Sequence, residues 1–406
     1  MDIALIGCGV SGSAIAVQLT REGLSTIKLI DINLNRANKL LHLLHSITPK
    51  LVVDVFRVNA TKTKEIENIL DDVDVVINAA SPICNIPIMK ACLNSDTNYI
   101  DLASDPFRYS GIMEGTTLDE QLELHDEFLD MDLVAVTNTG FSPGFTDILC
   151  RYIVDTYNLD MLNSVKIYFA EVIESDKLVA SWSPYIFLLE VLFPPTVFSK
   201  NRIIELDYHK GTKYIKFPPP IGTIKAKIFN GHPELRTIPE FINVPVEYIE
   251  IGGGAVLNGL QLNDIIVEAL SKKVRENIVF NGDVLEILSS AFEDPDKFGE
   301  NYKKGIIRKD TACCLIEIKG KKGENILNYQ AIIQHDIKET IKDIPIASVP
   351  SFMVSFTPTI IAREIIYRRI KERGVIAPAA LSIASEIISE CKKMGLNIKE
   401  FIRWEN

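Results

Sequence analysis

The first third of the chain alternates short, almost wholly apolar runs with segments whose apolar residues recur at helical spacing. The runs over residues 2–6, 27–30, 52–58, 73–79, 98–101 and 133–136 predict strands. The segments over 13–22, 36–45, 64–70, 86–95 and 118–129 predict helices between them. Strands covered on both faces read as unbroken apolar runs, and βαβ alternation with short loops gives a doubly wound parallel sheet. The pattern changes after Thr139-Gly140-Phe141-Ser142-Pro143-Gly144. Strands are then predicted over 165–172, 214–217, 244–251, 305–307, 312–318 and 325–333, with Pro- and Gly-rich turns and helices over 145–157, 185–192 and 261–271 between them. That is a second, α+β domain with a mixed sheet. Helical spacing returns over 357–372 and 378–394. The expected architecture is α/β, with a nucleotide-type domain over 1–138, a substrate and dimerisation domain over 139–345, and a C-terminal helical segment over 346–406 that packs back on the first domain.

Composition adds bounds. The 406 residues suffice for two domains and a large core, with 47% hydrophobic and 24% charged residues. A net charge of −11 argues against nucleic acid and anionic membranes as partners. Met1 runs straight into the first strand without a basic leader, and no apolar stretch reaches about 20 residues, so a cytoplasmic protein without a membrane span is expected. The seven cysteines show no C-x-x-C spacing and the six histidines do not cluster, so reduced thiols and no metal site are expected.

The chemistry begins at Gly7-Cys8-Gly9-Val10-Ser11-Gly12, which follows the first apolar run and opens the first helix. Gly7 permits the tight turn out of the strand, Gly9 lets backbone approach a pyrophosphate, and Gly12 lets helix and sheet pack closely. Asp31 closes the second apolar run about 20 residues on, where a carboxylate accepts from a ribose 2′-hydroxyl and repels a 2′-phosphate. This is the Rossmann dinucleotide fingerprint in its required context, and it favours NAD over NADP. Val10, Ser11, Ile32, Asn59, Ala79 and Ala80 complete the expected cofactor contacts. Arg36, five residues after Asp31, is either a solvated surface cation or one that softens the preference against NADP.

Ligands of open α/β sheets bind beyond the carboxyl ends of the strands. Asp101, at such an end, is either a proton acceptor or a turn carboxylate. Gly140, Pro143 and Gly144 either expose backbone N–H groups to the cleft or form an interdomain hinge. Trp182 is either core or a loop wall, and Arg236 is either a surface cation or a carboxylate clamp. His125 and His232 titrate in the neutral range, but their settings in the sequence single out neither.

Together these residues resemble the saccharopine dehydrogenase-like superfamily, which includes saccharopine reductases, lysine 6-dehydrogenases and carboxynorspermidine dehydrogenases. The resemblance runs through Gly7–Gly12, Asp31-Ile32-Asn33, Val75–Ala80, Tyr99-Ile100-Asp101 and Thr139–Asp147. It continues at Ser181-Trp182-Ser183-Pro184 and at Gly374-Val375-Ile376-Ala377-Pro378. It implies a nicotinamide-dependent oxidoreductase acting at the C–N bond of an amino acid such as lysine or saccharopine, with Asp101 as catalytic base. A polyamine-type imine reductase and a catalytically silent nucleotide-binding homologue are the alternatives. A homodimer acting on a small-molecule amino acid or polyamine is the expected assembly. Two departures bear on the substrate. Tyr185 stands where the family usually has Arg, and the nearest counterpart of the family's Gly-His element, Gly252-Gly253-Gly254-Ala255, has no His. The closing turn also carries Ala379-Ala380 where a Glu is expected.

Overall fold

The computed structural model describes residues 2–105, 115–262 and 282–405. The expected helix over 261–271 lies almost wholly outside the described residues.

Six strands of the first domain form in chain order: β1 (Asp2–Ile6), β2 (Thr26–Asp31), β3 (Val52–Arg57), β4 (Val75–Asn78), β5 (Asn98–Asp101) and β6 (Val134–Val136). The second region supplies β7 (Met161–Ser175), β8 (Thr196–Ser199), β9 (Arg202–Glu205), β10 (Thr212–Lys216), β11 (Thr223–Ile228), β12 (Tyr248–Leu257), β13 (Leu260–Gln261), β14 (Ile307–Lys322) and β15 (Asn325–Asp336). β16 (Gly374–Ile376) and β17 (Ile398–Glu405) close the chain.

The first sheet is parallel, in the order β16-β6-β5-β4-β1-β2-β3. Its first six strands have the doubly wound order, which reverses between β1 and β4 and opens a crevice at their carboxyl ends. The strands are near-continuous apolar runs because helices cover both faces: every residue of β4 is buried. The second sheet is mixed. β7 pairs parallel with β12 and antiparallel with β14, and its main path runs β10-β11-β12-β7-β14-β15-β17. One apolar core joins the sheets: Ile3, Leu5 and Ile77 of the first domain belong to the same packed cluster as Val165, Ile167 and Ile316 of the second.

Two expectations are corrected. The runs over 305–307 and 312–318 are parts of one 16-residue strand, β14, because the polar residues between them lie within the same ladder to β7. The C-terminal segment is not wholly helical, nor wholly on the first domain. β16 does join the parallel sheet beside β6, and the helix Phe356–Ile366 packs on its strands. The last residues instead form β17 on the far sheet, paired with β15 from Ile326↔Glu405 to Ile333↔Ile398. Ile, Phe and Trp in this stretch favour a strand.

Among the described residues no helix is long and apolar enough to cross a membrane. All seven cysteines are free and buried.

Candidate active site

The first helix, α1 (Val10–Arg21), begins directly after Gly9. Gly7 has φ +94°, and a Cβ there would lie 2.7 Å from the Ala79 carbonyl carbon. A Cβ on Gly12 would lie 1.9 Å from the Gly7 carbonyl oxygen. Both positions therefore require glycine, as the fingerprint demands. The Ala79 and Ala80 backbone forms the opposite wall of this turn.

Asp31 is fixed at the tip of β2 by two backbone donors, Cys8 N–H at 2.7 Å and Asn33 N–H at 2.7 Å. Ile32 beside it is exposed, as an apolar platform for an adenine ring would be. Asn59 lies just beyond β3 and accepts from the Thr61 N–H and hydroxyl at 3.1 and 2.9 Å. A glycine cradle at a helix N-terminus, with a carboxylate at the next strand tip, fits a dinucleotide.

A cavity of about 330 Å³ opens next to this cradle. Ser11, Pro82 and the stretch Leu102–Asp105 line it from the first sheet, with Gly140 and Pro143 beside them. Across the cleft stand Trp182, Glu171, Glu190 and His232. Its walls are mostly apolar. Ser183 caps the helix Pro184–Leu192 and so sets Trp182 at the rim, edge-on to Phe187 at 6.0 Å. A second cavity of about 470 Å³ shares Ser104, Asp105, Gly231, His232 and Pro233 with the first and is lined by Arg202 and Arg236. His232 stands where the two meet.

His232 has a built environment. Its Nδ1 bonds the Glu234 carboxylate, and its Nε2 lies 3.9 Å from Glu190 Oε1. Glu234 is fully buried and also accepts from Ser142 Oγ and from Thr146 Oγ, the latter at 2.9 Å. Burial alone would lower the His232 pKa, but the facing Glu234 and Glu190 charges outweigh it and raise it. The same contact lowers Glu234 against its own burial, chiefly through the His232 charge. Glu190 is raised to about 7 by burial, with His232 opposing. A second buried pair lies deeper: Glu171 accepts from Ser181 Oγ at 2.8 Å and interacts electrostatically with Asp310, and burial raises both.

The expected residues divide. Gly7, Gly9, Val10, Ser11, Gly12, Asp31, Ile32, Ala79 and Ala80 cluster around the cradle, and Gly140, Pro143 and Trp182 line the cavity. Gly144 does not offer its N–H to a ligand: at φ +126° it is buried and donates to Asp147 at 2.9 Å. Arg236 sits in the second chamber, ion-paired to Asp119. His125 is structural, its Nδ1 lying 3.0 Å from the Val375 carbonyl oxygen. Tyr185, at the family's Arg position, is not among the residues lining the cavity.

Asp101 departs most from expectation. It is buried, lines neither cavity, and accepts from Asn138 N–H at 2.7 Å and Gln121 Nε2 at 2.6 Å. It ties β5 to the turn after β6 instead of facing a substrate. Asp101→Asn is expected to lower stability by ~1–3 kcal/mol, because one donor loses its acceptor. Turnover per folded molecule should be unchanged; a 10²-fold loss at unchanged melting temperature would return Asp101 to the catalytic set.

The glycines at 252 and 253 have a structural role. Gly252 and Gly253 serve packing: a Cβ on either would fall within 2.8 Å of a backbone oxygen of a neighbouring strand. A Gly-His pair does line the cavity elsewhere, at Gly231-His232. The signal available in the sequence was Gly231-His232-Pro233-Glu234, a histidine two residues from a carboxylate.

Comparison with known proteins agrees with this geometry. Residues 3–136 match the family model described as the saccharopine dehydrogenase NADP binding domain. The matched residues run from β1 through β6 of the parallel sheet. Carboxynorspermidine synthase of Vibrio cholerae serotype O1 is 26% identical over 258 residues, which are 61% of this chain and 60% of that protein. The chain thus spans less than two thirds of that relative's length. Carboxyaminopropylagmatine dehydrogenase of Synechocystis sp. is 23% identical over 328 residues, 74% of each chain. Among solved structures, saccharopine dehydrogenase (L-Glu forming) of Saccharomyces cerevisiae superposes with a TM-score of 0.67 at 14% identity, covering 99% of both chains. The saccharopine dehydrogenase fold therefore extends through the second domain as well as the first.

Proposed function

We propose that this protein is an NAD-dependent oxidoreductase that transfers hydride at the C–N bond of a carboxylated polyamine, in the manner of its carboxynorspermidine-type relatives. The observation that carries this reading is the pair of chambers meeting at His232. One is apolar with buried carboxylates, Glu171 and Glu190, and an aromatic rim at Trp182, which suits an aliphatic chain ending in an ammonium. The other carries Arg202 and Arg236, which suit a carboxylate that takes the place of Asp119 on Arg236. A lysine or saccharopine substrate is the second reading, supported by the solved structure of the same fold.

Gly7–Gly12, Asp31 and the Ala79-Ala80 backbone would hold the cofactor, and the nicotinamide, when bound, supplies the hydride acceptor or donor. Asp31 favours NAD: its fixed charge meets a ribose hydroxyl well and a 2′-phosphate poorly.

Oxidation of an amine to an imine removes a hydride from carbon and a proton from nitrogen; reduction returns both. His232 is the proton-handling group, held at Nδ1 by Glu234 with Nε2 toward Glu190 on the cavity wall. The apolar walls exclude water from the reacting carbon and position the C–H.

The test is a spectrophotometric assay at 340 nm with NAD or NADP against lysine, saccharopine and carboxylated polyamines, and with the reduced cofactors against the matching imines. Turnover is expected with NAD and a carboxylated polyamine, and with NADH and the matching imine. Turnover with saccharopine alone would move the reading to the second substrate, and binding of neither dinucleotide would overturn it.

A further inference from the structure

At the start of α1 the space above Gly9 is filled by a distant part of the same chain. A Cβ on Gly9 would lie 3.5 Å from Asp296 Oδ1, its one neighbour within 4 Å among the described residues. Burial raises the pKa of this carboxylate, while Arg36 and the Val10 N–H beside it favour its charged form. Arg36 holds it from the other side, with Nε 2.5 Å from Asp296 Oδ2 and a second nitrogen 3.5 Å from Asp294.

The segment carrying Asp296 is itself held in place. Asp294 caps the short turn Pro295–Lys297 by accepting from the Asp296 N–H at 3.1 Å. Before it, the Glu293 N–H donates to the Leu178 carbonyl at 2.9 Å. After it, Gly299 packs so tightly on Ile346 that a Cβ would approach its Cα to 2.6 Å. The carboxylate is therefore presented to the fingerprint by a fixed scaffold.

The N–H groups opening a fingerprint helix are the donors a diphosphate uses, and the helix dipole favours one anion there. Here an aspartate of the second domain already faces one of them. We propose that Asp296 is an internal anion competing for the diphosphate subsite, so that this residue, which lies outside the fingerprint, sets dinucleotide affinity. The inference rests on the nucleotide reading above. When a dinucleotide enters, the Asp296 side chain leaves the Val10 N–H, and Arg36 is released from it beside the incoming phosphates.

Titration calorimetry with NAD, ADP-ribose and adenosine separates the possibilities, using wild type, Asp296→Asn and Asp296→Ala. Both variants are expected to bind NAD and ADP-ribose at least ~5-fold more tightly than wild type, because the competing charge is gone. Adenosine, which has no diphosphate, should bind all three proteins alike. A purely structural Asp296 would change all ligands together or none. If wild type binds NAD and both variants bind it equally or more weakly, the competition is overturned. If wild type binds neither NAD nor ADP-ribose, the nucleotide reading fails, and this inference with it.

Discussion

His232→Gln should lower turnover by ~10²–10⁴-fold while dinucleotide affinity stays within a few fold. Gln keeps a donor near the Glu234 carboxylate and much of the side-chain volume, so the wall of the cavity is preserved. What it removes is the group that exchanges a proton at neutral pH. The cofactor cradle at Gly7–Gly12 lies on the other side of the cleft, and none of its contacts involves residue 232. Glu234→Gln provides the companion measurement. Without that carboxylate, His232 loses the main charge that raises its pKa, and its burial then dominates. The limb of the pH–rate profile belonging to His232 should move to lower pH in Glu234→Gln and vanish in His232→Gln. Steady-state rates from pH 5.5 to 9, with melting temperatures to show folding, check both. Full turnover in His232→Gln at saturating substrate would remove His232 from the chemistry.

The sequence made the first domain legible for a definite reason. A parallel sheet covered on both faces writes each strand as an apolar run, and the glycine positions follow from clashes that no other residue relieves. The same logic failed for the second domain. β14 is interrupted by Arg308, Lys309 and Asp310, and Asp310 is buried only because Glu171 and the Val349 N–H face it from elsewhere in the fold. β17 finds its partner, β15, some 70 residues earlier. The site shows the same division. The glycine cradle, fixed by local backbone geometry, is readable in the sequence. The surroundings of Asp101 are not legible, because a carboxylate at a strand end looks alike in sequence whether it faces a cleft or internal donors. The setting of His232 is not legible, because Glu190, Ser142 and Thr146 reach it and Glu234 only through folding.

The buried carboxylates also fix how stability should respond to pH. Asp101, Asp147, Asp310 and Glu190 are each raised to about 7, in every case with burial as the largest cause. Between their unfolded values near 4 and their folded values, the native state binds more protons than the unfolded one. Their contribution is thus complete below the unfolded value and is lost as pH rises through about 7. His232 is raised too, so it acts in the same direction, its contribution vanishing as pH climbs past its folded value. Glu234, which is lowered, has the opposite sign, but its contribution is lost only below about pH 4.5, outside the window. A tenfold gain in a group's proton affinity on folding is worth ~1.4 kcal/mol, so stability should fall by several kcal/mol between pH 5 and pH 8. Thermal or urea unfolding across that range should show the decline, and a flat or rising curve would contradict it. Asp310→Asn isolates one contributor. An Asn side chain there still accepts from the Val349 N–H, which Asp310 does at 3.0 Å. One proton is removed from the balance without opening the core, so the slope against pH should become shallower while the melting temperature at pH 8 rises.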